Sequence, residues 1–142
     1  MLLPYLRYPQ AWRLLAHLTT NGAATIKKIA EVTAFADGET LDVAGHPRVL
    51  HTPGHTSGHV AFHFADRGLL AVGDLLRSFN PLTGARGPQL MPSAFNLSSA
   101  QTLDSLSRIE GIDAPLTVLG HGEPWRDHPA AAAERARELG PT

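Results

Sequence analysis

Apolar residues recur along this chain in short runs whose period switches between helical and alternating. In residues 9–20 (PQAWRLLAHLTT), Trp12, Leu15, Ala16 and Leu18 fall roughly at helical spacing, and Asn21-Gly22 supplies a stop. Residues 28–35 (KIAEVTAF) alternate imperfectly through Ile29, Val32 and Phe35, and residues 39–45 (ETLDVAG) through Leu41 and Val43. With the Asp37-Gly38 turn signal between them, the two predict a hairpin. RVLHT (48–52) predicts a third strand, stopped by Pro53 and Gly54. HVAFHFA (59–65) predicts a fourth, with Val60, Phe62 and Phe64 on one face and His59, Ala61, His63 and Ala65 on the other. GLLAVGD (68–74) is a nearly continuous apolar run, expected as a fifth strand buried on both faces.

Residues 77–97 break this regularity. NPLTGARGP and MPSAFN are rich in proline and glycine and predict a long irregular loop, of the kind that is usually functional or mobile. Ser98, with Gln101 three residues later, predicts a helix start with Leu103, Leu106 and Ile109 as its buried stripe and Gly111 as its end. LTVLG (116–120) predicts a last buried strand. Asp127 or His128 is expected to cap a final helix with Pro129 in its first turn and Gly140 at its close. The expected order is helix, five strands, loop, helix, strand, helix: an α/β layered arrangement. It is read as one domain over 1–142, with a helical lead-in (1–28) followed by sheet, loop and two helices (29–142).

Composition narrows the chemistry. The chain has 142 residues, 43% of them hydrophobic, enough for one sizeable core. Its net charge of −1 offers no clustered positive field, so no nucleic-acid or membrane partner is expected. It has no cysteine, which removes disulfides, thiolate metal sites and cysteine nucleophiles. Any metal must be held by His, Asp or Glu. The first residues, MLLPYLRYPQ, are interrupted by Pro4 and Arg7 short of a signal-peptide core, so a cytoplasmic protein is expected.

Four of the eight histidines lie within HTPGHTSGHVAFH, at positions 51, 55, 59 and 63. On a helix they would share a face, but Pro53, Gly54 and Gly58 make a helix improbable, and the fourfold spacing loses its meaning. Each must be judged alone. His55 sits at the tip of the loop between Gly54 and Thr56, where small neighbours let a ring reach an ion. VGD puts Asp74 just after a buried strand, and LGHGEPW puts His121 between two glycines after another. Strand ends open into the crevice of an α/β sheet. Three strand ends thus deliver His55, Asp74 and His121, a donor set suited to zinc, iron or manganese.

These pieces, DGETLDVAG, VLHTPGHTSGHVAF, LLAVGDLL and VLGHGEPW in that order, resemble the metallo-β-lactamase-fold superfamily of metal-dependent hydrolases. The resemblance implies the C-terminal half of a four-layer αββα sandwich with a one- or two-metal site at the sheet edge. It implies that His55 ligates the first metal, that Asp74 bridges both ions or binds the second and serves in catalysis, and that His121 ligates the second. His51, His59 and His63 occupy positions the family does not generally use. The family's first-half His-x-His-x-Asp-His motif is absent from this sequence, so weak metal binding and poor hydrolysis by the chain alone are expected.

In such a hydrolase a water activated by the metal attacks an ester, thioester, amide or phosphodiester of a small-molecule substrate. Segment 77–97 is a candidate substrate wall, with Arg77, Arg86 and Asn96 as candidate contacts; the two arginines also read as solvated loop charges. Two other readings compete with a hydrolase. One is a non-catalytic half-domain that pairs with itself or with a chain supplying the first half. The other is a metal-independent α/β binding module.

Overall fold

The computed structural model describes residues 6–22, 29–80 and 83–141. Helix α1 (Pro9–Thr20) leads into four strands of a central sheet, interrupted by a two-stranded ribbon and two short helices. Strands β1 (Arg48–His51), β2 (Val60–Phe64) and β3 (Leu69–Gly73) form an antiparallel meander. The ribbon is β4 (Arg77–Phe79) with β5 (Arg86–Gln89). Helices α2 (Ser99–Ser105) and α3 (Ser107–Glu110) then cross over to β6 (Leu116–Leu119), which pairs parallel with β3, and α4 (Pro129–Leu139) closes the fold. Sheet order is β1-β2-β3-β6.

Strand register explains where the core sits. Leu50 stands opposite Ala61, His63 opposite Leu70, and Leu70 opposite Thr117. Leu50, Ala61, Leu70, Val72, Thr117 and Leu119 therefore share one face, and all are buried. Two helical stripes cover it. Thr102, Ser105, Leu106 and Ile109 form one, and Pro129, Ala132, Ala133 and Ala136 the other, each at the spacing of a single helix face. Alanines on α4 let its backbone approach closely. The opposite face carries Val60, Phe62, Phe64, Leu69, Leu116 and Val118, which are only half-buried, and Val118 is 38% exposed.

Both predicted helix starts after the sheet are observed. The Ser98 hydroxyl accepts from the Gln101 amide, and His128, the second of the two candidate caps, accepts from the Ala130 amide. The helix after Ser98 breaks at Leu106 into α2 and α3, and Leu103 is only partly buried.

Several expectations are corrected. The predicted strand 28–35 is absent from 29 onward, Lys28 lying outside the described residues; Ile29 and Val32 are about four-fifths exposed, at 79% and 82%. The hairpin forms one segment later. Residues 38–41 pair with 47–49 through Gly38 N–H to Val49 O, Val49 N–H to Glu39 O and Leu41 N–H to Pro47 O. An imperfect alternation found no partner strand, whereas 38–41 sit beside a buried one. The run 68–74 is buried on one face only: Leu70 and Val72 lie in the core under the helices, while Leu69 and Ala71 are half-buried. Segment 77–97 is not irregular throughout: it holds the β4–β5 ribbon and a 3₁₀ turn at Ser93–Phe95. On α1 the buried residue is Ala11, packed with Tyr8, Leu14, Ala94 and Phe95, while Trp12 faces out. No helix among the described residues is long and apolar enough to cross a membrane.

Asp37 ties the incoming chain to this sheet. Its carboxylate accepts from the His51 amide at 2.8 Å and from Arg108 at 2.6 Å. The His51 amide first, and Arg108 after it, hold the carboxyl below its ordinary range against the opposing effect of desolvation. A folded pKa below the unfolded one means stability present at neutral pH and lost as pH falls through the folded value. Asp37→Asn is expected to lower the urea midpoint at neutral pH, with the deficit shrinking as pH drops below about 4. A deficit independent of pH would contradict this assignment.

Candidate metal centre

Because β1 and β3 are both antiparallel to β2, and β6 is parallel to β3, three strands run in one direction. Their carboxyl ends meet at one edge, where loops carry His55, Asp74 and His121. The His55 loop is tied at its base, where the Thr52 amide donates to the His59 carbonyl at 2.9 Å. The His59 ring reinforces the tie, its Nδ1–H donating to Thr52 O at 3.0 Å with the Thr52 hydroxyl at 2.9 Å. Helix α2 pins the loop from the other side. Ser105 Oγ donates to Pro53 O at 2.7 Å, the Ser98 amide to Gly54 O at 2.9 Å, and the Leu97 amide to His55 O at 3.2 Å. Gly54 must be glycine: its φ is +136°, and a Cβ would stand 2.3 Å from the Thr102 amide nitrogen.

Asp74 and His121 are brought together by a backbone clamp. The Gly120 amide donates to Gly73 O at 2.8 Å and to Leu76 O at 3.0 Å. A Cβ on Gly120 would lie 2.2 Å from Asp74 Oδ1, so the carboxylate occupies space that only glycine leaves free. The next residue, His121, is held through its carbonyl, which accepts from the Ser78 amide at 2.8 Å.

The Asp74 carboxylate lies between the two imidazoles. Oδ2 faces His55 Nε2 and Oδ1 faces His121 Nε2, each at 3.3 Å. A charge-assisted N–H···O bond would be nearer 2.7–2.9 Å. Two ligands each about 2.0–2.2 Å from one tetrahedral ion stand about 3.3–3.5 Å apart. The tautomer of His55 points the same way. Asn96 Nδ2 donates to Met91 O at 3.1 Å and to Ser99 Oγ at 3.4 Å, which turns its Oδ1 toward His55 Nδ1 at 3.3 Å. That oxygen can only accept, so in the neutral ring Nδ1 is the protonated nitrogen and the Nε2 lone pair faces the carboxylate. Two electron-pair donors facing each other need a shared cation, a proton or a metal ion. Nitrogen and oxygen donors suit zinc, iron or manganese. The two imidazoles sit on opposite oxygens, and no three or more His, Cys, Asp or Glu side chains among the described residues close around one point. The donors here thus fit part of a coordination shell.

A cavity of about 320 Å³ opens on this group, lined by Leu14, Leu18, Met91 and Phe95 as well as His55, Asp74, Arg77 and His121. Arg77 is 3% exposed, not a solvated loop charge, because its strand turns it inward. Burial pushes its guanidinium below the ordinary range, against the pull of Asp74. Arg86 is exposed, stacked over Phe79, and lines a separate cavity with Trp125. Asn96 lies behind His55 rather than on the cavity wall. His51 binds the Ser57 carbonyl, and His63 lies within β2. Sequence reasoning missed His59, whose burial, chiefly, lowers its pKa. Its pairing with Thr52 across the ends of the Pro-Gly loop was the available signal. Nothing local marked Arg77 as buried.

The fold is one that known proteins share. Residues 2–121 match the family described as Metallo-beta-lactamase superfamily. Over 75 residues the chain is 39% identical to the hydroxyacylglutathione hydrolase of Cereibacter sphaeroides; the match takes in 51% of this chain but spans only 29% of that enzyme's length. The fold is similar to a metallo-beta-lactamase family protein from Thermus thermophilus, with TM-score 0.62, 29% identity, 87% of this chain and 42% of that one covered. It is also similar in fold to a protein solved in a di-iron-bound form, with TM-score 0.58, 24% identity and coverages of 91% and 61%.

Gly120→Ala is expected to destabilise the protein by about 1–3 kcal/mol, because the new methyl overlaps the Asp74 carboxylate. Gly111→Ala, where a Cβ meets nothing within 4 Å, is the control and should change little. Urea midpoints of the two variants check this; equal midpoints would remove the clamp from the account.

Proposed function

Because the chain belongs to the metallo-β-lactamase superfamily, we propose that it carries part of a metal-dependent hydrolase centre, with His55, Asp74 and His121 as its ligands. The observation that carries this reading is the Asp74 carboxylate with one oxygen turned to each imidazole at 3.3 Å. Zinc is the proposed ion, with iron and manganese as alternatives. When bound, such an ion supplies Lewis-acid polarisation of a carbonyl and activation of a water. The chain's own residues do the rest. Asn96 orients the His55 ring so that Nε2 faces inward. His59 and α2 hold the loop that presents it. Leu14, Leu18, Met91 and Phe95 give an apolar wall to a cavity sized for a small molecule. Among the ester, thioester, amide and phosphodiester substrates the resemblance admits, the name of the hydroxyacylglutathione hydrolase relative favours a thioester.

Calorimetric titration of zinc into the chain tests the centre. Binding is expected to be weak, since each ion finds one imidazole and one carboxylate oxygen here, and Asp74→Asn should weaken it by about tenfold or more. Unchanged affinity in that variant would sink the assignment. Turnover of a small acyl-thioester is expected only when a His-x-His-x-Asp-His segment is supplied as well.

A second reading, a half-domain that pairs with itself or with another chain, is favoured by the half-open sheet face of Val60, Phe62, Phe64 and Val118. Gel filtration with and without zinc separates the two: a metal-independent dimer whose oligomeric state is unchanged in Asp74→Asn supports the pairing reading.

A further inference from the structure

Among the described residues, no hydrogen bond or ion pair joins residues 6–21, which hold α1, to residues 29–141; the polar contacts of α1 stay within its own segment. What holds the helix in place is apolar. Ala11 is buried, and Tyr8 and Leu14 pack around it with Ala94 and Phe95 of the 3₁₀ turn. The helix has little stability of its own. Its 12 residues are near the length at which an isolated helix is marginal in water. No side chain caps its start at Tyr8. At its end the Thr19 and Thr20 hydroxyls turn back on carbonyls three and four residues earlier, a pattern that weakens a helix slightly. Its helical form therefore depends on docking.

It docks at the metal edge. Leu14 and Leu18, four residues apart and so on one face, line the cavity of about 320 Å³ that opens on His55, Asp74 and His121. Met91 and Phe95 supply the rest of the apolar wall. Leu14 and Leu18 are only half-buried. An apolar group in the cavity would complete their burial and strengthen the docking of α1 in the same step. Docking and binding are then linked, because a molecule that binds only the docked state stabilises it. Resting on the hydrolase reading above, we propose that α1 is a lid over the metal edge whose Leu14 and Leu18 determine specificity. They select an ester or thioester whose acyl part is a short, uncharged aliphatic chain. The acyl carbonyl lies toward His55, Asp74 and His121, and the alkyl chain lies under α1.

The test needs no metal. Methyl butyl ketone, an acyl mimic that cannot be hydrolysed, is titrated into the metal-free chain. Met91 is one of only 2 methionines, so its methyl signal reports binding by NMR, while amide hydrogen exchange reports on α1. In the free chain the α1 amides are expected to exchange by local opening, faster than those of β2 and β3. Ketone at about ten times its Kd should slow α1 exchange about tenfold and leave β2 and β3 unchanged, the factor for a ligand of the docked state alone. The analogue with a terminal hydroxyl in place of the end methyl should bind about tenfold more weakly, because its hydroxyl is buried against leucine. Leu18→Ala keeps the packing of Tyr8, Ala11 and Leu14 and should weaken ketone binding about tenfold. Arg13→Ala, on the exposed side of α1, should behave as the parent. Exchange of α1 as slow as that of β2 and β3 in the free chain would overturn the lid. Equal binding of ketone and hydroxyl analogue, a Met91 shift with α1 exchange unchanged, or full affinity in Leu18→Ala would overturn the specificity role. Failure of zinc binding with the ketone effects intact would instead overturn the hydrolase reading and leave α1 as the cover of an apolar ligand site.

Discussion

The Gly120 amide donates to two carbonyls at once, those of Gly73 and Leu76, and so joins the ends of β3 and β6. Asp74 leaves the chain between those two acceptors, and His121 leaves it directly after the donor. Parallel pairing alone would bring the two strand ends to one edge without fixing the side chains beyond them. The clamp adds that precision, and the missing Cβ of Gly120 leaves room for the Asp74 oxygen. His55 then completes the group from a loop that is braced on one side by the Thr52–His59 tie and on the other by α2. Asp74 with its two histidines depends on backbone hydrogen bonds made by residues that carry no chemistry of their own.

Energetically the molecule is one-sided. Two helical stripes bury one sheet face almost completely, and this packing supplies most of the apolar burial that offsets chain entropy. The other face is left half-open. At the cavity the same asymmetry recurs in charge. Arg77 is buried beside the cavity with its Nε on the Phe79 carbonyl, while the Asp74 carboxylate that attracts it is turned toward two imidazoles.

Much of this was legible in the residues. Local signals that act through the backbone of their own segment were read correctly: the Ser98 cap with Gln101, the proline-led start of α4 at His128, and the Pro-Gly break after β1. The placement of His55, Asp74 and His121 at strand ends was also readable, because strand directions in an α/β sheet send such ends to one edge. Segment 28–35 misled because alternation describes a strand's faces but not whether a partner exists; residues 38–41 took the place beside β1 instead. The apolar run 68–74 misled because a continuous run does not say how many sheet faces are covered.

The sequence by itself determined the strand ends, the helix caps and the identity of the donor atoms, since these follow from residue type and near-neighbour spacing. Tertiary structure alone decided how the histidines are held, with His59 bracing the loop and His55 turning its Nε2 to the carboxylate. His59 and His55 are both loop histidines four residues apart, and only the position of Thr52 and Asn96 around them assigns each ring its role. It alone also decided that Arg77 is buried while Arg86 is solvated, because that depends on which face of a short ribbon packs against the site. Contacts between segments far apart in the chain set both outcomes, and spacing along the sequence carries no record of them.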